Sequence, residues 1–559
     1  MTGLPDGDDA DVVTDGAGVE PAFRADRRPL IATIALSAIV AIAAGLAIAL
    51  HRNGHTQGDD FALYLRQARS IFDGDISQVV ADNRFSVINS GPAFSPIAYP
   101  WGWPLLLAPF VHVWGLDYER LKLVEVAAFC VWLILVHGII RRRAGRLLAL
   151  AVVAVIGTAP ILLAHTDQLL SEYPHAAAVA VFIWWMDRIK ARHPLIAASP
   201  RSLVLLGVLA AAAYNIRREA VVLAAVILVV QVAELVAAYR RGPPIPVPWK
   251  TVATPHVAFI GAVIGFQLLI PSMLMPDNGD SPSFIRERMG DYASVLTQQL
   301  GLGSHPALGT VILLLAGAGM VIGCIRRPRL DIALTAVTVL TAMTVSTHFR
   351  MVGRYYFQIM PWVLYFATAA IVAAVQWALL SWTRWGAEGR ARGGAEGRAR
   401  DGAERRARRG ATGRARTVAA SVAALPLLYV VAVHAFALPD DVSAARDFDR
   451  SGRQQVGPTD PAITPIFEAV EQHTDPTSVI AYYRARTMTL LTDRRSIQTT
   501  DIDRVMQSAD YYAQMRYSDY SQPDITPNEA AALGLVEVWS DARWILWRVP
   551  DPALVPKSG

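Results

Sequence analysis

The sequence predicts an all-α polytopic membrane protein with about eleven transmembrane helices and a small C-terminal α/β domain outside the cytoplasm. First, 53% of its 559 residues are hydrophobic and only 18% are charged, with a mean hydropathy of +0.32. Second, apolar runs of about 20 residues recur, and each is long enough to cross a bilayer. Third, basic residues cluster between these runs, whereas residues 438–559 are far less hydrophobic. Because the basic residues lie between apolar runs, the net charge of +5 does not indicate nucleic-acid binding.

The positive-inside rule orients the chain. Residues 1–28 are acidic and Gly-rich and end in Arg27 and Arg28, so they predict a disordered cytoplasmic tail before the first span. Residues 29–437 form the transmembrane module. Its predicted spans are 29–50, 119–140, 147–165, 174–190, 201–215, 219–238, 252–272, 307–325, 331–348, 355–380 and 417–437. An odd number of spans leaves residues 438–559 on the outer face of a bacterial inner (plasma) membrane.

The first outer loop, residues 51–118, is predicted to contain two interfacial helices. In 58–75 an apolar stripe of Phe61, Leu65, Ala68 and Phe72 repeats at helical spacing, so we expect this face in lipid and the charges in water. The second stretch, 99–115, is apolar but broken by three prolines, and a crossing here would place the next arginines outside. We therefore expect an interfacial or re-entrant helix, with Trp101 and Trp103 as interfacial anchors.

Two further segments have distinct compositions. Residues 384–416 are a basic low-complexity repeat, which predicts a disordered cytoplasmic loop, with an anionic-lipid tether as the alternative. In the C-terminal domain the pattern predicts a strand at 478–483, a short helix at 484–493, a strand at 494–498 and a hairpin over 535–549.

Polar residues from separate segments converge near the predicted outer face. An arginine deep in a span costs about 2.5–3.5 kcal/mol, so arginines next to apolar runs indicate a polar cavity or an anionic partner. The residues concerned are Asp59 and Asp60; His165, Asp167, Glu172 and Tyr173; Arg217, Arg218 and Glu219; and His348, Arg350, Arg354, Tyr355 and Tyr356.

Carboxylates and arginines above an apolar wall suit a lipid-linked sugar phosphate. Arginines bind the phosphate and stabilise the charge that grows as it leaves. A single ionised aspartate then takes the proton from the attacking acceptor hydroxyl.

The order of these motifs resembles the GT-C glycosyltransferases, a family of multispan enzymes that use polyprenyl-phosphate sugars. The family includes protein O-mannosyltransferases, aminoarabinose lipid A transferases and actinobacterial arabinosyl- and mannosyltransferases. The resemblance rests on the acidic pair after the first span, YPWGWPLLL at 99–107, SEYP at 171–174, IRRE at 216–219 and RYY at 354–356. It covers about residues 29–380, and the tail more loosely.

The resemblance implies roles for individual residues. Asp59 would be the general base with Asp60 as its neighbour, Glu172 would lie near the acceptor or a metal, and Arg354 would contact the lipid phosphate. The other residues that we expect to bind substrate are Arg350, His348, Arg217, Arg218, Asp167 and Tyr355. This chain has Asp-Asp where many relatives have Asp-Glu, which leaves the choice of base open.

Each role has a simpler alternative. Asp59 could cap its helix, Glu172 could only pair with an arginine, and Arg354 could anchor its span by snorkelling. His165 and His348 resemble metal ligands beside Asp59 and Glu172, but no HxxxH-like spacing occurs. We therefore assign no metal ligand and no certain cofactor, and leave a divalent metal open.

The sequence thus predicts a glycosyltransferase that moves a sugar from a polyprenyl-phosphate donor to a polysaccharide, glycolipid or protein hydroxyl. The sugar, arabinose or mannose, stays open. A multispan transporter or lipid flippase is the alternative, although no internal repeat is found and the charges gather at one face. A scaffold or receptor is a third reading. The enzyme reading requires Asp59, Glu172 and Arg354 to surround one cavity.

Overall fold

The structure is a computed structural model that describes residues 28–91, 94, 99–240, 248–270, 284–347, 353–391, 400–516 and 522–550. The predicted N-terminal tail, up to residue 27, lies outside the described residues. So do His348, Arg350 and the centre of the basic repeat, residues 392–399.

Helices dominate the first 450 residues. In chain order they are α1 (Arg28–Leu50), α2 (Asp59–Asp73), α3 (Ile76–Asn89), α4 (Gly102–Trp114), α5 (Tyr118–Ala144), α6 (Arg146–Thr158), α7 (Pro160–His165), α8 (Glu172–Lys190), α9 (Pro200–Tyr214), α10 (Val222–Tyr239), α11 (Trp249–Leu269), α12 (Phe284–Gln299), α13 (Pro306–Arg326), α14 (Pro328–Ser346), α15 (Met360–Ala391) and α16 (Arg400–Arg450).

The chain is a multi-pass membrane protein. Among the described residues, eight helices are long and apolar enough to cross a membrane, namely α1, α5, α10, α11, α13, α14, α15 and α16. The other three predicted spans are shorter or more polar. The one at 147–165 is divided because Pro160 has no N–H to continue α6, so α7 begins there. α8 contains Asp187, Arg188 and Lys190, and α9 has 15 residues.

Most of the membrane helices pack around one large buried core. α5 lies against α6 and α8, and α8 lies against α9 and α14. Phe129, Trp132 and Ile183 are fully buried there. Close approach depends on small residues, since a Cβ on Gly319 of α13 would lie 1.9 Å from the carbonyl oxygen of Phe366 in α15.

The first outer loop differs from the sequence-based expectation. Three residues of the predicted apolar stripe, Phe61, Leu65 and Ala68, are buried in protein against α4 and the C-terminal domain. The fourth, Phe72, is exposed. Arg66, expected in water, is buried and pairs with Asp82 of α3 at 2.7 Å. The prediction of a lipid-facing α2 is therefore wrong, because α3, α4 and the C-terminal domain cover the helix.

α4 fills most of the predicted 99–115 segment, and its 13 residues are too few for a full crossing. Trp101 and Trp103 are fully buried, so the prediction of interfacial anchors is wrong. Between them, Gly102 donates its N–H to the carbonyl oxygen of Asn215 at 2.6 Å. A Cβ at this glycine would lie 2.6 Å from the same oxygen, which explains why the motif has no side chain there.

The C-terminal domain follows α16, which crosses the predicted boundary at 437/438 and ends at Arg450. The basic repeat is also partly helical, because α15 reaches Ala391 and α16 begins at Arg400. The domain contains α17 (Thr464–His473), β1 (Val479–Ala481), α18 (Ala485–Thr492), β2 (Arg495–Ile497), α19 (Ile502–Ser508), β3 (Tyr511–Met515), α20 (Pro527–Ala532), β4 (Val536–Ser540) and β5 (Trp544–Arg548).

These strands form one mixed sheet in the order β2-β1-β3-β5-β4. β1 pairs in parallel with β2 and with β3, whereas β5 is antiparallel to β3 and β4. The predicted hairpin is β4–β5, and the predicted strands and helix over 478–498 are β1, α18 and β2. The sequence patterns missed β3, which lies at the centre of the sheet.

Candidate functional site

A cavity of about 580 Å³ lies between the predicted first outer loop and the C-terminal domain, and we call it the outer pocket after that prediction. Its charged lining comes from distant parts of the chain: Asp59 and Asp60 of α2, Arg354, Arg484 just before α18, and Arg486 in the first turn of α18. The predicted convergence of Asp59 with Arg354 at one cavity is thus present. Glu172 does not line this cavity, so the expectation that it would surround the same cavity is wrong: it lies behind Arg354, with 6% of its side chain exposed.

The acidic pair occupies the first turn of α2. Gly58 is the N-cap, and no side chain makes a capping hydrogen bond, so the interpretation of Asp59 as a cap is wrong. The free N–H groups of a first helical turn favour carboxylates. Thr487 of the C-terminal domain also donates its hydroxyl to the carbonyl oxygen of Gly58 at 3.2 Å, which ties the start of the helix to that domain.

Carboxylates and guanidinium groups alternate along a chain of ion pairs that extends from Asp60 into the protein. Arg354 lies on a 3-10 helix, Gly353–Ile359, and its Nη2 is 3.1 Å from Asp60 Oδ2 while its Nε is 2.9 Å from Glu172 Oε1. Glu172 Oε1 also lies 3.0 Å from Arg217 Nη1, and Arg217 Nη2 is 2.8 Å from Glu219 Oε1. Arg354 therefore bridges the acidic pair to the start of α8, and the alternation keeps each buried charge compensated.

Asp60 is held in its ionised form. Burial alone would raise the pKa of Asp60, but the charge of Arg354 and a hydrogen bond from Tyr99 outweigh it and hold the pKa below its ordinary value. The Tyr99 hydroxyl donates to Asp60 Oδ1 at 2.6 Å. Burial and the nearby carboxylate raise the pKa of Tyr99, so this hydroxyl keeps its proton.

Asp59 faces the C-terminal domain instead. Its Oδ1 accepts from the backbone N–H of Arg486 at 3.3 Å, and its Oδ2 lies 3.7 Å from Arg484 Nη1. Burial raises the pKa of Asp59 above its ordinary value, although the charges of Arg484 and Arg486 oppose the shift. The two neighbouring aspartates therefore differ, and Asp59 is the more basic carboxylate.

Of the remaining predicted residues, Tyr355 contacts the arginines of the charged cluster, whereas Arg218 and His165 have other surroundings. The ring of Tyr355 lies under the guanidinium groups of Arg217, at 4.9 Å, and Arg354, at 5.6 Å. Arg218 is half-buried at the first residue of the 3-10 helix Arg218–Val221. His165 packs edge-on against Phe357, with ring centroids 4.9 Å apart.

Asp167 has a structural setting away from the outer pocket. It lies 2.8 Å from the fully buried Nζ of Lys122 and accepts from Gln455 at 3.0 Å. Both partners hold the segment that follows α1, because Lys122 and Gln455 each donate to the carbonyl oxygen of Arg52. Asp167 supplies the anionic partner that the fully buried ammonium of Lys122 needs. The described contacts of Asp167 therefore stabilise the segment that follows α1.

Sequence reasoning missed Tyr99, Arg484 and Arg486. Tyr99 is the first residue of the YPWGWP motif, and that motif was the only available signal for it. Arg484 and Arg486 precede or begin an ordinary short helix, and nothing in their local pattern points to a site more than 400 residues earlier in the chain. Arg486 is further fixed by Asn83 at 3.1 Å and by the ring of Phe94, 4.5 Å from its guanidinium carbon.

The charges of this cluster balance. The four carboxylates Asp59, Asp60, Glu172 and Glu219 face the four arginines Arg217, Arg354, Arg484 and Arg486. Arg354 lies between Asp60 and Glu172, so these two carboxylates do not converge on a shared cation position. No group of three or more metal-ligating side chains occurs among the residues that the structure describes.

The helical membrane bundle of this chain, with its acidic pair after the first span and its C-terminal domain, has a fold similar to those of two solved structures. ArnT from Cupriavidus metallidurans, bound to undecaprenyl phosphate, matches with a TM-score of 0.51 at 14% identity over 95% of this chain and 100% of its own. The oligosaccharyltransferase AglB from Archaeoglobus fulgidus, in complex with an inhibitory peptide and a dolichol-phosphate, has a TM-score of 0.51 at 11% identity over 88% of this chain and 70% of its own. No family model and no curated protein sequence matches the chain.

Proposed function

We propose that the protein is a membrane glycosyltransferase that moves a sugar from a polyprenyl-phosphate donor to a hydroxyl acceptor on the outer face of the inner membrane. The observation that carries the proposal is the outer pocket, where Asp59 and Asp60 meet Arg354 at one end of a GT-C bundle. Two proteins of the same fold were solved with undecaprenyl phosphate and with dolichol-phosphate. A lipid phosphate also suits a site with arginines beside apolar helices.

Arg354 is the proposed ligand of the donor phosphate. Its guanidinium group lines the outer pocket and lies on the 3-10 helix that precedes α15, next to the apolar bundle that would face the polyprenyl chain. A guanidinium binds phosphate oxygens through two N–H groups, and it stabilises the negative charge that develops as the phosphate leaves. Arg217, behind Glu172, keeps that carboxylate paired when Arg354 turns to the phosphate.

Asp59 is the proposed general base. The acceptor hydroxyl attacks the anomeric carbon and loses its proton to the Asp59 carboxylate. The bond from that carbon to the phosphate oxygen breaks, and its electron pair leaves with the lipid phosphate, so the anomeric configuration inverts. Such a displacement needs the base and the leaving group on opposite sides of the carbon. Asp60 contacts the phosphate ligand Arg354, whereas Asp59 faces the C-terminal domain, and this division favours Asp59.

The lining of the outer pocket supports a polyhydroxyl acceptor. Beyond the charged residues, its wall carries the amides of Gln57, Gln168 and Gln498 and the hydroxyls of Thr499 and Thr500. Both polar atoms of the Gln57 side chain and Oε1 of Gln498 are buried and have no hydrogen-bond partner in the described structure. Unpaired buried amides favour a ligand that both donates and accepts hydrogen bonds, as a saccharide does.

The test is sugar transfer by the purified full chain, reconstituted in liposomes with synthetic polyprenyl-phosphate arabinose or mannose and oligosaccharide acceptors. Asp59→Asn should lower the rate at least about 100-fold, because it removes the base. Asp73→Asn is the matched control, since Asp73 lies on the same helix with a half-exposed side chain away from the outer pocket. Undiminished transfer by Asp59→Asn excludes Asp59 as the base. Failure to bind or use any polyprenyl-phosphate compound overturns the function.

A further inference from the structure

A second cavity lies at the opposite end of the helices from the outer pocket. It has a volume of about 880 Å³, and we call it the basic cavity. Three segments line it: the end of α5, the end of α8 with the residues that follow, and the turn from α13 to α14. α8 has 19 residues, so its first residue, Glu172, and its last, Lys190, lie about 27 Å apart along the axis. The basic cavity is therefore separate from the outer pocket.

The lining of the basic cavity is strongly cationic. Seven of its side chains are arginine or lysine, and a single carboxylate, Asp187, accompanies them. Asp187 is already bound by both Nη atoms of Arg143, at 2.5 and 2.8 Å. Lys190 pairs with Glu234 at 3.3 Å, and Arg327 approaches Asp331 at 3.9 Å.

The other basic side chains of the cavity have no acidic partner within the described part of the chain. These five are Arg142, Arg188, Arg192, Arg326 and Arg329. Because they come from three separate segments, the fold and not the local sequence brings them to one concave surface. Uncompensated like charges repel one another, so a bound anion would stabilise this arrangement.

A buried ion cluster holds the three segments in place beneath the basic cavity. Arg143 of α5 joins Asp187 of α8 and also lies 3.2 Å from Asp331 of α14, and all three side chains are fully buried. The Tyr365 hydroxyl of α15 donates to Asp331 at 3.1 Å. The arginines above this cluster therefore project from a rigid floor, which is the preorganisation that an anion site needs.

A helix N-terminus adds to the positive potential. α14 begins at Pro328 with no side-chain capping bond, and Pro328, Arg329 and Leu330 all line the basic cavity. Pro328 has no N–H, and the N–H groups of Leu330 and Asp331 donate to the carbonyl oxygen of Arg327. The contribution here is therefore that of the helix dipole, whose positive end favours a bound anion. This contribution is independent of the arginine side chains.

We propose that the basic cavity is a second anion site, which binds a phosphate group at the membrane face opposite to the outer pocket. The ligand is either the headgroup of an anionic phospholipid in that leaflet or a free polyphosphate, since both present the same oxygens to arginine. A volume of about 880 Å³ accommodates either one. This proposal does not depend on whether the outer pocket transfers sugars.

The test measures the binding of two probes to the purified full chain in a neutral detergent, by native mass spectrometry and by the shift in melting temperature. One probe is phosphatidylglycerol, compared with phosphatidylcholine, and the other is tripolyphosphate. Arg326→Gln with Arg329→Gln is the test variant, because both side chains are exposed and unpaired and their loss should not unfold the chain. Arg141→Gln with Arg146→Gln is the matched control: both arginines are exposed at the same membrane face but outside the cavity lining.

We expect at least one probe to bind the wild type and the control alike, and to bind the test variant at least about tenfold more weakly. Binding of phosphatidylglycerol alone identifies a lipid headgroup, and binding of tripolyphosphate alone identifies a soluble ligand. Equal loss in both variants means a diffuse surface charge effect and overturns the proposal. So does the absence of binding by either probe.

Discussion

Replacement of Arg354 by glutamine tests the centre of the outer pocket, because this side chain contacts both Asp60 and Glu172. In the proposed function it also binds the donor phosphate. A hydrogen bond to a charged group contributes about 1.5–3 kcal/mol, so the dissociation constant for undecaprenyl phosphate should rise about 10- to 150-fold.

The same change also affects stability. Glu172 retains Arg217, and Asp60 retains the Tyr99 hydroxyl, so neither carboxylate is left without a partner. The cost should therefore fall below the roughly 3–5 kcal/mol of breaking an isolated buried pair. We expect a loss of about 1–3 kcal/mol in the free energy of unfolding, with the fold retained.

Binding of undecaprenyl phosphate to the detergent-solubilised chain, followed by native mass spectrometry, separates these effects. Arg354→Lys should recover part of the affinity, because it restores a point charge without the paired N–H groups. Arg120→Gln is the control for general charge, since Arg120 is an exposed arginine at the start of α5 outside the outer pocket. An unchanged dissociation constant for a folded Arg354→Gln chain refutes the phosphate role and leaves snorkelling as the explanation.

Three further predictions concern stability. His55 is buried with its Nε2 accepting from a backbone N–H, and burial lowers its pKa to about 3. As pH falls below 6.5, the unfolded chain takes up a proton at this ring that the folded chain does not. His55 should therefore account for about 2 kcal/mol of the stability lost between pH 7.5 and pH 5, measured as the difference in that loss between the wild type and His55→Gln. Gly102→Ala should prevent α4 from packing on the carbonyl of Asn215 and lower the melting temperature sharply, whereas Gly74→Ala, in open space, should show only backbone strain. Arg143→Ala should destabilise by about 3–5 kcal/mol and Arg69→Ala, at a half-exposed pair, by less than about 1 kcal/mol.

The bundle could be predicted from the sequence because a bilayer imposes simple requirements. Apolar length and the placement of arginines each restrict a segment independently of its neighbours, and the C-terminal hairpin shows alternation that is equally local. The predictions were wrong where one sequence pattern is compatible with two surroundings, lipid or protein. An apolar stripe such as that of α2 can be buried by lipid or by protein, and the sequence of 59–73 is the same in both cases. The same holds for Trp101 and Trp103, whose rings fit an interface or a core.

The candidate site was only partly predictable for a different reason. Asp59, Asp60, Glu172 and Arg354 could be singled out, since each is a charge next to an apolar run. Which aspartate faces which cation depends on side-chain direction at the start of α2, and spacing does not determine it. Arg484 reaches the site because α18 packs against α2, a contact between segments more than 400 residues apart. Only the tertiary structure could reveal it.

The balance of charge at the outer pocket leads to one last prediction, about protons. Four described carboxylates face four described arginines, so a lipid phosphate that binds Arg354 adds negative charge to a neutral cluster. Asp59 is the carboxylate best placed to respond, because burial already raises its pKa. Undecaprenyl phosphate is the leaving group of the proposed transfer, so its complex corresponds to the state in which Asp59 has already taken the acceptor's proton. Binding of this product should therefore be coupled to proton uptake by Asp59, and its affinity should fall as pH rises through the raised pKa of that carboxyl. The phosphate of the ligand titrates too, but equally for all variants, so the comparison is between the wild type and Asp59→Asn. The wild type should lose affinity more steeply with rising pH. Parallel pH profiles for the two proteins would mean that Asp59 keeps its charge when the phosphate binds, and that the cluster accommodates the extra anion by another route.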